Sequence, residues 1–405
     1  GISRYGLSLL ATAVPQAVEA GWRMIVVTRP AQEYRARQAA AHLGIPVLVC
    51  PDNEGFVRRS PWMRSILAQS GADLYFSTHY TVDRHCPVPF VFTIHDLTRL
   101  RFPEFSYTDA AFAERFGAAE LRLLRDELAE LAPESRLHDS PLFPRYFRAL
   151  NQFLIHRARR IITVSHAAAS DIRHLLGASD TRLDLVPCAV DTAVFHSSHR
   201  EHIDAVRTAR GLTGPYLVFV GLTHPNKRFE WLLHHLLQAR DTFPHGTRLV
   251  AVGGHAETTP HVRATLRRSG AEDFVTFTGR VSDGELAALY SGAAAYVTAS
   301  ISEGYGMPPA EALACGSQVI ATDIPALRES LGESAHFYPA QDAATFVALA
   351  RDALRGCLPD RAARPPTADW ATSGASLIRA LSRALDDSPP APDPESRSRQ
   401  RAHAA

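Results

Sequence analysis

At 405 residues and 46% hydrophobic content, the chain is long enough for two separately cored domains and ordinary in composition for a globular protein. A formal net charge of +1 gives no reason to expect nucleic acid or strong attraction to an anionic membrane. No apolar run reaches about 18 residues, so no membrane-spanning helix is expected.

Cys50, Cys86, Cys188, Cys315 and Cys357 are scattered without a C-x-x-C pair. They read as thiols in a reducing compartment, and a structural zinc site is not expected. The amino terminus carries no signal-peptide pattern. Gly1 to Gly6 runs directly into the helical pattern of Leu7, Leu9, Leu10, Val14 and Val18. A glycine turn entering a helix normally follows a strand, so a first strand is expected to be missing ahead of Gly1.

Met24–Thr28 reads as a strand, Ala31–Leu43 as a helix ended by Gly44, and Pro46–Cys50 as the next strand. Pro61–Ser70 reads as a helix, Leu74–Ser77 as a strand, and Phe90–Ile94 as a strand running into His95-Asp96-Leu97. Residues 103–150 break this alternation. Phe112, Phe116, Leu123, Leu124, Leu128 and Leu131 fall near helical spacing with charges of both signs between them. An amphipathic helix packed on its own domain is expected there, with a lid over an acceptor site as the rival.

The alternation resumes with strands at Ile161–Ser165 and Leu183–Pro187 around a helix at Ala167–Leu176. Asp191–Arg200 is polar and irregular and reads as a linker. A second set follows: strands at Tyr216–Gly221, Arg248–Val252, Phe274–Phe277, Ala294–Ala299 and Val319–Thr322, with helices at Phe229–Ala239, Pro260–Ser269 and Asp283–Tyr290. Helices at Thr345–Arg355 and Trp370–Leu385 close the pattern. Strands alternating with helices predict parallel, doubly wound sheets. The expected organisation is residues 1–190 as an amino-terminal domain and 200–370 as a carboxyl-terminal domain. A last helix over 371–385 is expected to cross back to the first, ahead of a disordered tail at 386–405.

The stretch Ser302-Glu303-Gly304-Tyr305-Gly306-Met307-Pro308-Pro309-Ala310-Glu311 carries the chemistry. It follows a buried strand, and Pro308 is placed to open a short helix that Gly316 closes. Open α/β sheets bind ligands at the carboxyl ends of their strands, and a helix start offers unpaired amides that suit a phosphate. Glu303 and Glu311, with seven residues between them, suit sugar hydroxyls as acceptors. Phosphate and hydroxyls together make a nucleotide sugar. The alternative is a surface helix with one glutamate favouring its dipole and the other solvated.

Five segments in order resemble the retaining GT-B glycosyltransferases, most closely family four (glycosyl transferases group 1). They are Gly1-Ile2-Ser3-Arg4-Tyr5; Phe92–Leu97; Val220-Gly221 through Pro225-Asn226-Lys227; Phe277-Thr278-Gly279-Arg280-Val281-Ser282; and Ser302–Gly316. The resemblance implies two Rossmann-like domains facing a cleft, the first on the acceptor side and the second binding a nucleotide-diphosphate sugar. It implies that Glu311 accepts ribose hydroxyls, that Glu303 accepts donor-sugar hydroxyls, and that the amides at Tyr305, Gly306 and Met307 hold phosphate. Lys227, beside Gly221, would neutralise the leaving diphosphate. Gly1 and Ile2 would approach that diphosphate, and Arg280 and Val281 would border the base. His95 would lie beside the donor sugar, with Asp96 as a second acid–base candidate. Leu222 and Asn226 stand where many members carry arginine, which leaves the adjacent Arg228 to supply a second positive charge.

The function implied is transfer of a sugar from a nucleotide-diphosphate sugar to an acceptor hydroxyl with retention of configuration. The alternative is a non-catalytic GT-B binder of sugar nucleotides. No cofactor and no metal are expected, since no D-x-D follows a strand and Lys227 with the helix amides meets the diphosphate charge. The acceptor is expected to be a saccharide or small molecule, with at most peripheral membrane contact, no nucleic acid and a cytoplasmic location.

Overall fold

The structure, a computed structural model, describes residues 2–41, 43–51, 61–80, 82–134, 141–221, 225–253, 260–268, 270–361 and 368–387. Gly1, Leu222 and the expected tail from residue 388 onward lie outside the described residues. The chain divides into two compact units, Gly1–Pro187 with Trp370–Ala405, and Cys188–Asp369.

The first unit runs α1 (Ile2–Glu19), β1 (Val26–Thr28), α2 (Glu33–Ala40), β2 (Val47–Val49), α3 (Pro61–Gln69), β3 (Tyr75–Ser77) and β4 (Phe90–Ile94). It continues through α4 (Thr98–Arg101), α5 (Asp109–Phe116), α6 (Ala118–Leu131), α7 (Leu142–Arg157), β5 (Arg160–Thr163), α8 (His166–Leu176) and β6 (Leu183–Leu185). Among the described residues β1 and β2 form a parallel pair, and β3-β4-β5-β6 a parallel four-stranded sheet. Every residue of β4 and β5 is buried, as strands covered on both faces require.

Residues 2–6 are helical from Ile2, not a glycine turn. The reason is visible at Tyr5, which is fully buried and donates through its hydroxyl to Val186 O at 3.1 Å. Gly6 faces Thr78, whose Cγ2 would be 3.4 Å from a Cβ at that position. The single amphipathic helix expected in 103–150 is three helices. Gly117, at φ +98°, ends α5 and begins α6. Phe112, Leu124, Leu128 and Phe143 from these helices are core residues of the unit. The buried Glu127 of α6 pairs with Arg84 at 3.0 Å, and Arg84 also pairs with Glu130. These helices contribute buried side chains to the core of their own unit, as expected of a segment packed on its own domain.

The second unit runs α9 (Arg200–Ala209), β7 (Tyr216–Val220), α10 (Phe229–Ala239), β8 (Arg248–Val252), α11 (Pro260–Arg268), β9 (Val275–Gly279) and α12 (Asp283–Ser291). Then come β10 (Ala295–Val297), α13 (Met307–Ala314), β11 (Val319–Thr322), α14 (Pro325–Leu331), β12 (His336–Tyr338) and α15 (Ala343–Leu354). Its sheet has the order β12-β11-β10-β7-β8-β9, with every neighbouring pair parallel. This is the doubly wound order, and it reverses between β7 and β10. The polar stretch read as a linker is irregular and mostly exposed, and it is anchored by Phe195, which is 2% exposed with its ring 6.3 Å from that of Tyr290.

The last helix, α16 (Trp370–Asp386), belongs to the first unit. It packs along α1, where a Cβ on Gly374 would come within 2.9 Å of the Thr12 backbone. Trp370 packs on Tyr5 with ring centres 6.0 Å apart. At its far end Arg383 pairs with the buried Asp184, which also pairs with Arg160, and Arg160 Nη1 reaches Asp387 at 2.9 Å. Arg160 and Arg383 thus supply the partners that a buried carboxylate such as Asp184 needs.

Candidate functional site

The reversal in strand order sets the site in the second unit. Adjacent strands β7 and β10 send their connections in opposite directions, which leaves a crevice beyond their carboxyl ends. The chain leaving β7 turns at Gly221, whose φ of +106° favours glycine. The side chain of Lys227 lies against this glycine, where a Cβ would meet its Cε at 3.6 Å. Pro225–Lys227 forms one 3-10 turn that delivers Lys227 beside the loop following β10.

That loop, residues 298–306, is held from three sides. Thr298 N donates to Ile320 O at 3.0 Å, and Tyr338 Oη donates to Thr298 O at 2.9 Å. Thr322 Oγ1 donates to Ser300 O. On the β7 side, Ile301 N donates to Asn226 O at 3.0 Å, and Asn226 Nδ2 donates to Ser302 O at 2.9 Å. Asn226 thus brackets the two residues ahead of Glu303. The consequence is an ion pair between Lys227 Nζ and Glu303, whose side chains are 17% and 13% exposed.

Gly306 ends the loop at φ +94° and caps α13, and a Cβ there would run into Leu327 Cδ2. The helix opens one residue before Pro308, at Met307. Pro308 and Pro309 occupy the next two positions and have no N–H, so within this first stretch the donors are the amides of Tyr305, Gly306 and Met307. The first intrahelical bond, Ala310 N to Gly306 O, is 3.3 Å long. The partial positive charge of the helix start therefore rests on few groups.

Glu311 lies one turn into α13 and is 3% exposed. Tyr290 Oη donates to its Oε2 at 3.5 Å. The phenol of the buried Tyr296, on β10, is held well above its usual range by burial and then by the Glu303 and Glu311 carboxylates, which both act on it. Burial and then Glu311 push the Cys315 thiol up to about 12, so this cysteine is an inert packed thiol. Glu303 meets Lys227 at the surface of the site, while Glu311 sits behind it.

The remaining second-unit candidates lie apart from this pair. Arg228, adjacent in sequence to Lys227, is the one non-glycine residue with positive φ among the described residues, at +51°. Its Nη1 donates to Ala340 O at 2.6 Å, and its guanidinium lies 4.4 Å from the Trp231 ring centre. That commits the charge to the segment after β12, so Arg228 does not stand as a second cation at the pair. Arg280 and Val281 follow β9, the edge strand, where Gly279 has φ +66°. Arg280 is exposed.

In the first unit, His95 follows the fully buried β4. Its Nε2 lies 2.8 Å from Thr78 O. A carbonyl only accepts, so Nε2 carries a proton and the neutral ring presents Nδ1 as an acceptor. Tyr5 stands across this ring at 84°, with centres 4.9 Å apart. Burial holds the His95 pKa below 6.5, against the opposing pulls of Thr78 O and the Asp96 carboxylate. Asp96 Oδ1 accepts from Thr98 N at 2.9 Å and so stabilises the start of α4. Ile2 is partly exposed in the first turn of α1. Asn226, Thr78, Tyr5 and Tyr290 are the supporting residues that sequence reasoning passed over. Asn226 was singled out only for the arginine it replaces.

Comparison with known proteins agrees with this architecture. Residues 9–194 match the model of Glycosyltransferase Family 4, and residues 214–355 match that of glycosyl transferases group 1. Two α/β units with parallel sheets, carrying these two domains in this order, define a GT-B glycosyltransferase fold. The chain belongs to that glycosyltransferase family. Curated relatives include the O-antigen chain mannosyltransferase RfbU of Salmonella typhimurium, 27% identical over 49% of this chain and 51% of the relative. The MMP alpha-(1->4)-mannosyltransferase of Mycolicibacterium hassiacum is 29% identical over 52% of this chain and 48% of its own length. The chain thus spans about half the length of these relatives. Among solved structures, Anabaena HepE in complex with UDP-glucose superposes with a TM-score of 0.61 at 17% identity, over 94% of this chain and 96% of that one. WaaG, a glycosyltransferase involved in lipopolysaccharide biosynthesis, gives 0.58 at 14% identity, over 95% and 91%. At these identities the likeness is one of fold. No helix among the described residues is long and apolar enough to cross a membrane.

Proposed function

We propose that this protein transfers a hexose from a nucleotide-diphosphate sugar to an acceptor hydroxyl with retention of anomeric configuration. The observation that carries the reading is the Lys227–Glu303 ion pair on the loop that leads into α13, beside the point where the second sheet reverses. Lys227 and the amides meet the diphosphate, whose charge grows as the glycosidic bond breaks. Glu303 accepts hydroxyls of the donor sugar, and Glu311 accepts those of the ribose. The departing phosphate oxygen takes the acceptor's proton, and attack comes on the same face through an oxocarbenium-like state. Neither glutamate is a nucleophile.

His95 is assigned to the donor sugar through Nδ1, the nitrogen that Thr78 O leaves free. Asp96 is kept as the weaker acid–base candidate because Thr98 N already occupies one of its oxygens. Gly1, Ile2, Arg280 and Val281 remain donor-binding assignments, the first two for the diphosphate and the others for the base. Metal independence follows from the charge that Lys227 and the amides supply, and turnover is expected to persist in excess EDTA. The acceptor is taken to be a saccharide or small molecule, and the location cytoplasmic.

The curated relatives named above are mannosyltransferases, and HepE was solved with UDP-glucose. GDP-mannose and UDP-glucose are therefore the first donors to test. A thermal-shift screen of nucleotides and nucleotide sugars, followed by an assay for nucleotide-diphosphate release with saccharide acceptors, tests the proposal. Acceptor-dependent release supports transfer. A non-catalytic binder, which the commitment of Arg228 to Ala340 favours, would show binding without release.

A further inference from the structure

We propose that the Lys227–Glu303 ion pair makes the site discriminate between intact donor and spent nucleotide diphosphate, so that product leaves once the sugar is gone. This inference rests on the donor-site reading given above. Its starting point is that the two charges are partners of each other. Lys227 Nζ pairs with Glu303, and both side chains are less than one-fifth exposed. They are held in register by Asn226, whose carbonyl receives Ile301 N at 3.0 Å and whose amide donates to Ser302 O at 2.9 Å. The lysine stem lies against Gly221 at the strand end.

A ligand phosphate that takes Lys227 competes with Glu303 for its ammonium and weakens this pair. An intact nucleotide sugar replaces both halves, because its phosphate takes the lysine and its sugar hydroxyls donate to Glu303. A nucleotide diphosphate replaces only one half. It leaves Glu303 charged, mostly screened from water and near the ligand's own negative charge. Leaving one member of such a pair without a partner is the costly outcome, whereas exchanging both partners is close to neutral. The same pair therefore admits donor and expels product. Arg228, the neighbouring cation, is held by Ala340 and Trp231 and does not offset the penalty.

The test is calorimetric titration of the whole chain, without acceptor, using GDP against GDP-mannose and UDP against UDP-glucose. For the pair that binds, wild-type protein is expected to hold the nucleotide sugar at least ~10-fold more tightly than the diphosphate. In Glu303→Gln the diphosphate is expected to bind about 10-fold more tightly and the sugar nucleotide more weakly, so that the ratio collapses. If the variant tightens both ligands equally, only bulk charge has changed and the inference is overturned. It is likewise overturned if diphosphate binding is unchanged or weaker, or if wild-type protein holds both ligands equally. Should Glu303→Gln lose its cooperative melt, Asn226→Ala reads the same pair: it is expected to narrow the ratio, and an unchanged ratio overturns the proposal. If no nucleotide and no nucleotide sugar binds wild-type protein, the donor-site reading fails and this inference with it.

Discussion

At the level of single residues, the two glutamates of the 302–316 stretch separate by burial: Glu303 opposes Lys227, while Glu311 lies almost wholly inside beside Tyr290. On the donor-site reading proposed above, loss of Glu311 and loss of Lys227 are therefore expected to read differently. Glu311→Ala removes an acceptor from the ribose and is expected to weaken nucleotide binding roughly 10- to 100-fold in titration calorimetry. Lys227→Ala removes charge that matters most as the diphosphate leaves, and is expected to lower kcat by about 10²- to 10³-fold with a smaller change in KM. Full activity in both variants would refute the assignment. Both residues stood out in the sequence because spacing and chain order carry them. Asn226 did not, because a clamp made of one carbonyl and one amide leaves no pattern until the strand ends are brought together. His95 offers a prediction in pH. Burial lowers its pKa in the folded protein, so the unfolded chain takes the proton first, near the ordinary value of 6.5. Below that pH the unfolded state binds more protons, and stability is lost as pH falls. His235 and His336 are lowered too, also by burial first. Urea denaturation from pH 7.5 down to 5.5 is expected to show a falling midpoint, and His95→Gln a shallower fall. An identical slope would show that His95 contributes nothing to it.

At the level of elements, the strands with dense runs of Val, Ile and Phe were legible, among them Phe90–Ile94, Tyr216–Val220 and Arg248–Val252. β12 and α14 were not. His336-Phe337-Tyr338 is too short to carry a period, and it is a strand because β11 supplies its hydrogen bonds. In residues 103–150 the helical period was visible, but the break at Gly117 was not, since a lone glycine is also tolerated within a helix. The 298–306 loop shows how an element can be fixed by few groups. Gly306 has both a left-handed backbone and Leu327 against the place of a Cβ. Gly306→Ala is expected to destabilise the protein by about 1–3 kcal/mol and to raise KM for the donor, as loop and helix start shift together. Adding Leu327→Ala opens space but leaves the backbone strain. The double variant is therefore expected to recover part of the donor KM without recovering stability to wild type. Thermal melts and initial rates on the four proteins measure both, and a fully wild-type single variant would contradict the role given to this glycine.

At the level of the whole molecule, alternating strands and helices made two α/β domains with parallel sheets legible, and the order of five motifs pointed to the family. The reversal between β7 and β10 was not legible, because strand order depends on pairing partners distant in sequence. Nor was the way α16 is held, which depends on Tyr5 and Thr12 of α1 and on Asp184 of β6, far apart in sequence. A chain ending at Asp369 tests how far the two units fold independently. It lacks the buried Trp370, Leu377 and Leu381, each representing roughly 1.5–3 kcal/mol of side-chain burial. It also leaves the buried Asp184 without Arg383, and Arg160 without Asp387. Set against a typical domain stability of about 5–15 kcal/mol, those losses are large enough to unfold the first unit. The second unit loses none of its core, because α16 contributes no residue to the cluster around Leu217, Phe219, Leu232 and Phe346. Hydrogen exchange read by peptide is therefore expected to show protection lost across β3 to β6 and kept across β7 to β12. Equal loss of protection in both units would mean that the second cannot hold its fold without the first. Full protection in both would mean that α1 and the strands of the first unit need no cover from α16.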